Sequence, residues 1–258
     1  ALRAAGEVLS TGPVTLKELA ARIPTKLRKV LASSGPYPWH AVIKDLLVSV
    51  SVCFGPPRGQ EVTYATSERW ITRKPRRVSV VKAEQDLARR YLRAFAPATS
   101  SDFAYWSGLP SPEARRIFDG LRDLVECVID GGRSWMLPED FGRLRVVRRG
   151  DSVRLLPAFD TYLLGHEDKI HILDPIHHKK VFPGAARVAQ TILVDGRVVG
   201  TWTAKRAGRT LEVKLSPFQK LPAAIRLAVE EETAKLGVFM GAGHAKRRWS
   251  EVGPSLSK

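Results

Sequence analysis

Apolar residues recur along this chain in two rhythms, and the order of the rhythms is repeated. Leu2 to Leu9 carries a helical spacing, Gly12-Pro13 supplies a turn, and Thr15 with Glu18 three residues on has the signature of a capping box opening a short helix. Pro24 stops that helix after Ile23. Beyond Ser33-Ser34-Gly35-Pro36, the residues Trp39, Val42, Ile43, Leu46 and Leu47 fall at i, i+3, i+4, i+7 and i+8, one apolar stripe of a third helix that leaves His40, Lys44 and Asp45 off it. The period then becomes two. Val48, Val50, Val52 and Phe54, the turn Gly55-Pro56-Pro57-Arg58-Gly59 and Val62-Thr63-Tyr64 predict a β-hairpin with Arg58 at its tip.

The same order returns. Gln85 to Phe95 reads as an amphipathic helix with Leu87, Tyr91 and Leu92 inward, Pro97-Ala98-Thr99 and Ser101 to Trp106 as a turn and short helix, and Pro112 to Leu124 as a third helix. Val125 to Ile129, the turn Asp130-Gly131-Gly132-Arg133 and Ser134 to Leu137 predict a second hairpin, with Cys53 and Cys127 at comparable first-strand positions. Helix, turn-helix, helix, hairpin is the winged-helix order, in which a third helix can enter a major groove while the hairpin lies on the backbone or minor groove.

From about Arg143 strands dominate. Arg143 to Arg148 and Val153 to Leu156 flank Gly150-Asp151, Gln190 to Val194 and Val198 to Ala204 flank Asp195-Gly196-Arg197, and Thr210 to Leu215 follows Ala207-Gly208-Arg209. Pro222, at a helix N1 position, opens Ala223 to Phe239, whose Ile225, Leu227, Ala228 and Leu236 are placed to cover the sheet. Gly241 to Lys258, with Lys246-Arg247-Arg248 among Gly, Ser and Pro, reads as a loose basic tail. The predicted class is therefore α+β: tandem winged-helix modules (helix-turn-helix plus β-hairpin wing) at 1–77 and 78–142, a C-terminal β-rich, barrel-like domain with a packing helix at 143–240, and the tail 241–258.

Charge changes the picture most. The 258 residues hold 42 Lys and Arg against 26 Asp and Glu, a formal charge of +16 that calls for an anionic partner. No apolar run approaches the ~20 residues of a membrane span. Two cysteines make no disulfide framework and suit a reducing, cytoplasmic setting; no signal-peptide pattern appears, and a first residue Ala1 rather than Met reads as part of a longer protein. The cations placed for phosphate contact are the acid-free run Arg69, Arg73, Lys74, Arg76 and Arg77, then Arg115 and Arg116 on the second third helix, the hairpin residues Arg58 and Arg133, and His40 and Lys44 on the first third helix. Arg143, Arg145, Arg148 and Arg149 suit local acidic partners as well as DNA. Trp39, Trp106, Trp135 and Trp202 sit at apolar positions and read as core. His166, His171, His177 and His178 with Glu167 and Asp168 are rich in metal-ligand types, but no pair forms a recognised motif, so no metal and no cofactor is expected.

Leu155 to Gly165, Val194 to Trp202, and Trp39-His40 with Gly55 to Gly59 resemble the bacterial winged-helix DNA-binding family whose best-understood members are DNA glycosylases, of the azinomycin-resistance type, that excise bulky alkylated bases or unhook interstrand crosslinks. That resemblance implies a duplex-DNA-binding repair hydrolase, monomeric, cytoplasmic and nucleoid-associated. It also implies a catalytic Gln-hydrophobic-Gln or Gln-hydrophobic-Asp triplet. The glutamines here lie in Gln60-Glu61-Val62, Gln85-Asp86-Leu87, Gln190-Thr191-Ile192 and Gln219-Lys220-Leu221, so the triplet is absent from this chain. Asp160, between Phe159 and Tyr162, is then the local candidate for positioning a water, and an ordinary turn or capping carboxylate is the alternative. Three functions stay open: a glycosylase or its DNA-binding portion, a non-catalytic DNA-binding protein or transcription regulator, and a winged-helix module that binds protein.

Overall fold

In the computed structural model, residues 2–32, 38–49, 51–71, 77–129, 131–144, 152–184 and 186–251 are described. The chain divides into two units, Ala1–Arg77 and Val78–Lys258. Among the described residues no helix is long and apolar enough to cross a membrane.

The first unit runs α1 (Leu2–Leu9), β1 (Val14–Thr15), α2 (Leu16–Arg22), α3 (Thr25–Ala32), α4 (Pro38–Val48), β2 (Val52–Phe54), β3 (Thr63–Thr66) and α5 (Ser67–Trp70). The capping box at α2 forms as its spacing requires: Glu18 N donates to Thr15 Oγ1 at 3.2 Å and Thr15 N to Glu18 Oε2 at 2.8 Å. Ala5, Leu9, Val14, Leu19, Ile23, Ile43, Leu46 and Val52 close the core. The sheet order is β1-β3-β2, antiparallel throughout. The expected first strand begins late: Val48 ends α4, Val50 lies outside the described residues, and pairing starts at Val52. Helix periodicity therefore persists through Val48, where an alternating reading of the valines places a strand. β1 and α3 are further elements beyond those expected. β1 is two residues long, while α3 sets Leu27, Val30 and Leu31 at i, i+3 and i+4, a helical spacing confined to the short stretch between Pro24 and Ser33.

The second unit begins with α6 (Val80–Phe95), α7 (Ser100–Ser107), α8 (Ser111–Asp119), the hairpin β4 (Val125–Ile129) and β5 (Gly132–Met136), and α9 (Pro138–Leu144). Ala88, Tyr91, Leu92, Phe103, Ile117, Phe118 and Leu137 form its core. Leu87, expected inward, is 40% exposed, and Ala88 takes the buried position of the stripe. Arg143 and Leu144 end α9 rather than open a strand, and residues 145–151, which hold the rest of that expected strand and its Gly150-Asp151 turn, lie outside the described residues.

Next come β6 (Val153–Leu156), α10 (Thr161–Leu164), a 3₁₀ turn at Pro175–His177, α11 (His178–Val181), β7 (Thr191–Val194), β8 (Arg197–Ala207), β9 (Thr210–Pro217), α12 (Ala223–Phe239) and β10 (His244–Trp249). β7 and β8 are joined by Asp195-Gly196, both at positive φ (47° and 80°), the geometry of a tight hairpin turn. Trp202 is buried, its indole Nε1 donating to Leu156 O at 2.9 Å. The strand order β10-β9-β8-β7-β6 is open, with β6 and β10 at the edges. Among the described residues no barrel closes; α12 instead covers one face, with Ile225, Ala228, Val229 and Leu236 inward and Leu227 60% exposed. The expected loose tail contains strand β10. It pairs parallel to β9 after the α12 crossover, with Ala245 facing Gly237 of α12, Trp249 over the core and the Lys-Arg run alternating around them. The alternation is hidden in the sequence because outward and inward positions of this edge strand both carry cations.

Gly200 sits where β8 meets Pro217: an added Cβ would lie 2.7 Å from Pro217 Cα and 2.8 Å from Ser216 O, both backbone atoms that cannot swing aside. Gly200→Ala is expected to cost about 2 kcal/mol. Gly142→Ala, in helix α9 with open space around it, should be neutral or stabilising by about 0.5 kcal/mol, both read as urea midpoints.

Candidate nucleic-acid interface

The second unit sets α8 behind two well-capped helices. Thr99 caps α7, and its amide and hydroxyl both donate to Asp102 Oδ2, at 2.9 and 2.7 Å, while Asp102 N returns to Thr99 Oγ1 at 3.1 Å. Asp102 is buried, and its second oxygen accepts from Glu167 N at 2.9 Å. One carboxylate thus ties α7 to the segment after α10, and Tyr91 reinforces it by donating to Gly165 O at 2.8 Å. Burial pulls the Asp102 pKa up, but the Thr99 and Glu167 donors and nearby His166 outweigh it and hold the carboxyl below its ordinary range.

On this frame Arg115 and Arg116 occupy adjacent exposed positions of α8 beside a shallow depression that also touches Ser111, Pro112 and Asp119. Arg116 reaches Glu84 at 2.9 Å and Glu113 at 3.9 Å. Arg133, 77% exposed on the hairpin, pairs with Glu126 across it at 3.2 Å. In the first unit Arg58 folds back, donating to Glu18 Oε1 at 2.6 Å and Pro13 O at 2.5 Å, so it stays half-exposed rather than projecting freely from the tip. The Thr15 amide lowers the Glu18 pKa most, burial opposes it, and Arg58 adds to the lowering. Exposed pairs of this kind are worth ~0–1 kcal/mol, little enough for a phosphate to replace the carboxylate. Lys44 is exposed on α4, Arg77 is exposed, and Arg69 donates to Ser10 O at 2.9 Å. His40 and Trp39 belong to α4 with side chains outside the described ones, and Arg73, Lys74, Arg76, Arg145, Arg148 and Arg149 lie outside the described residues. Arg143 pairs with Asp140 within α9 at 3.1 Å.

Asp160 is the N-cap of α10, its Oδ1 accepting from Tyr162 N at 2.9 Å. Of the tryptophans, Trp202 is core, Trp135 is half-buried, and Trp106 is 37% exposed while touching Tyr91 and Phe103. The histidine-rich stretch splits in two. His177 and His178 lie on Phe218 and Phe182, at 4.1 and 4.9 Å between ring centres. His166 and His171 meet edge to face at 4.6 Å, and His166 Nε2 sits 3.3 Å from Pro97 O. Among the described residues no three His, Cys, Asp or Glu side chains gather as a metal site.

Sequence reasoning missed the cleft that His166 and His171 line. It has a volume of about 590 Å³ and is bounded by Phe95 to Pro97, by Ile129, Gly132 and Ser134 of the hairpin, and by Tyr162, Asp168 and Ile170. Its walls come from residues far apart in the chain, so no local spacing could have signalled it. Beneath it, buried Lys169 donates to His166 O and lies 4.5 Å over the Tyr105 ring; burial lowers its pKa against the pull of Asp102, Asp168 and Glu167. Burial, then His166, lowers that of His171, and burial, then Lys180, that of His177.

The sequence model of the family described as "DNA glycosylase AlkZ-like" matches residues 1–239. An interstrand DNA cross-link repair glycosylase of Streptomyces sahachiroi is 31% identical over 212 residues, which cover 79% of this chain and 55% of that protein. The solved structure of the Streptomyces sahachiroi DNA glycosylase AlkZ superposes with a TM-score of 0.78 at 27% identity, covering 96% of this chain and 68% of that one. This chain therefore spans about half the length of the curated relative it matches.

The pKa directions fix a pH response. For His171, His177 and Asp102 the folded value lies below the unfolded one, so their stability contribution is present at neutral pH and is lost on acidification. The histidine loss starts as pH falls through 6.5, and that of Asp102 as it falls through 3.8. In thermal melts taken across pH, His171→Gln with His177→Gln should flatten the upper step and Asp102→Asn the lower one.

Proposed function

Because the chain belongs to the AlkZ-like DNA glycosylase family, we propose that it is the part of a repair glycosylase that holds duplex DNA, in an enzyme acting on bulky alkylated or crosslinked bases. The single observation that carries this reading is the adjacent exposed pair Arg115 and Arg116 on α8, the last helix before the β4–β5 hairpin. In this reading 1–77 and 78–142 are tandem winged helices, 143–240 is the β-rich scaffold, and the protein acts as a monomer. α8 presents to a groove, Arg133 on the hairpin and Lys44 and Arg77 in the first unit take phosphates, and Arg58 joins them by exchanging Glu18 for a phosphate. Arg73, Lys74, Arg76 and His40 keep the same proposed role.

The chain's own residues bind and orient; hydrolysis of the N-glycosidic bond is assigned outside them. A glycosylase must stabilise a cationic sugar and position a water. No Gln-hydrophobic-Gln or Gln-hydrophobic-Asp triplet occurs here, and the one local candidate, Asp160, has its Oδ1 in the cap of α10. The absent triplet also favours a second reading, a non-catalytic DNA binder or transcription regulator.

Two measurements test this. Arg115→Glu with Arg116→Glu should weaken binding to duplexes of unrelated sequence alike, and lower the salt slope by about one unit for each phosphate no longer engaged; unchanged affinity at low salt would refute the assigned surface. The full-length protein should generate abasic sites on alkylated duplex while these 258 residues alone do not. Sequence-selective binding without abasic sites would establish the second reading instead.

A further inference from the structure

The face of the second unit's sheet opposite α12 is packed at β6, β7 and the start of β8, where Leu156, Leu193 and Val198 join Leu163, Ile172 and Val181, and is open along the rest of β8, β9 and β10; this open part differs in charge from the face under α12. On the uncovered face of β8, β9 and β10, strand register places Lys205, Glu212 and Lys246 in one row and Thr203, Lys214 and Arg248 in the next. Thr201 and Ser216 continue the grid, and Ser216 Oγ lies 2.9 Å from Ser250 Oγ. Lys205, Glu212, Lys214, Lys246 and Arg248 are all exposed. Four cations therefore stand against one carboxylate, on strands about 4.8 Å apart.

Local pairing does not account for them. Two of the three carboxylates of α12 go elsewhere: Glu230 to Arg247 at 3.0 Å, and Glu232 to Lys235 at 2.8 Å and Arg154 at 3.8 Å. Among the described residues none of the four face cations is ion-paired. Lys214 and Arg248 are direct cross-strand neighbours, an arrangement of like charges that costs stability and that a bound anion relieves. The side chains of Trp202 and Trp249 belong to the opposite, α12-covered side, and of the described residues that β8, β9 and β10 set on the open face only His244 carries a ring, so the face lacks a Trp, Tyr or Phe platform for stacking single-stranded bases and a large apolar anchor for a bilayer. What it offers is a flat array of cations flanked by hydroxyls, the chemistry that contacts phosphate and sugar without reading base edges.

We propose that Lys205, Lys214, Lys246 and Arg248 form a second phosphate-contacting surface that grips the backbone of duplex DNA independently of sequence. The inference rests on the reading that this chain holds duplex DNA, and extends it to a surface beyond the helices and hairpins.

The test compares the 258-residue chain with its Lys214→Glu, Lys246→Glu, Arg248→Glu variant and with a control of equal charge change, Lys179→Glu, Lys180→Glu, Lys235→Glu. Fluorescence anisotropy on a duplex of about 30 base pairs is read across salt. The sheet variant should bind at least about tenfold more weakly at low salt, with a salt slope smaller by about two to three units, and the control should stay within about threefold of the parent. Equal affinities for sheet variant and control overturn the inference while leaving the DNA-holding reading intact. A parent chain that binds no duplex overturns both. Binding of phosphatidylserine vesicles, but not duplex, through these residues assigns the face to a lipid surface and overturns the proposal. If the glutamate variant melts early, Lys214→Gln, Lys246→Gln, Arg248→Gln is read by the same criteria.

Discussion

One buried carboxylate organises the second unit. Asp102 completes the cap of α7 and accepts from the backbone of Glu167, so α7, which shares its core with the α8 that carries Arg115 and Arg116, and the segment after α10 have a common anchor. A buried charge is tolerated only when it is fully hydrogen-bonded, and both Asp102 oxygens are engaged. The Tyr91 hydroxyl adds a second tie through Gly165, whose missing side chain leaves room for the Phe95 ring; a Cβ there would lie 2.3 Å from it. The cations of α8, the hairpin and the sheet are displayed on a frame that depends on these contacts.

Energetics decide how those cations behave. Arg58, Arg116 and Arg133 all touch carboxylates, which at first sight neutralises their charge internally. The Arg58–Glu18 and Arg133–Glu126 pairs are largely open to solvent, and such pairs are worth ~0–1 kcal/mol, while Glu84 beside Arg116 is only 19% exposed and holds its partner more firmly; several phosphate contacts together shift affinity by orders of magnitude through counterion release. The pairs act as holding positions rather than as buried locks, and the uncompensated cations of the sheet face add to the same field.

Much of the fold was legible because it is written in local rules. Thr15 with Glu18 and Thr99 with Asp102 announce their helices by spacing, and Asp195-Gly196 announces its hairpin by the positive φ that a tight turn needs. The failures have physical causes too. β10 hid because an edge strand carries Lys and Arg at inward as well as outward positions, α3 because Leu27, Val30 and Leu31 make only one short helical repeat between Pro24 and Ser33, and Val48 because a valine fits the end of a helix as well as the start of a strand. The Arg58 to Glu18 contact spans 40 residues, and the histidine-lined cleft is built from three distant stretches, so both are products of tertiary packing that no window of sequence contains.

A surplus of +16, displayed on these helices, hairpins and sheet, is held to neutralise phosphates. The most direct test of that claim is the salt dependence of duplex affinity for the unmodified chain. Log affinity is expected to fall linearly with log salt, with a slope of about −0.9 per phosphate engaged and the same value for unrelated sequences. An affinity that stays level as salt rises from about 50 to 200 mM would contradict it.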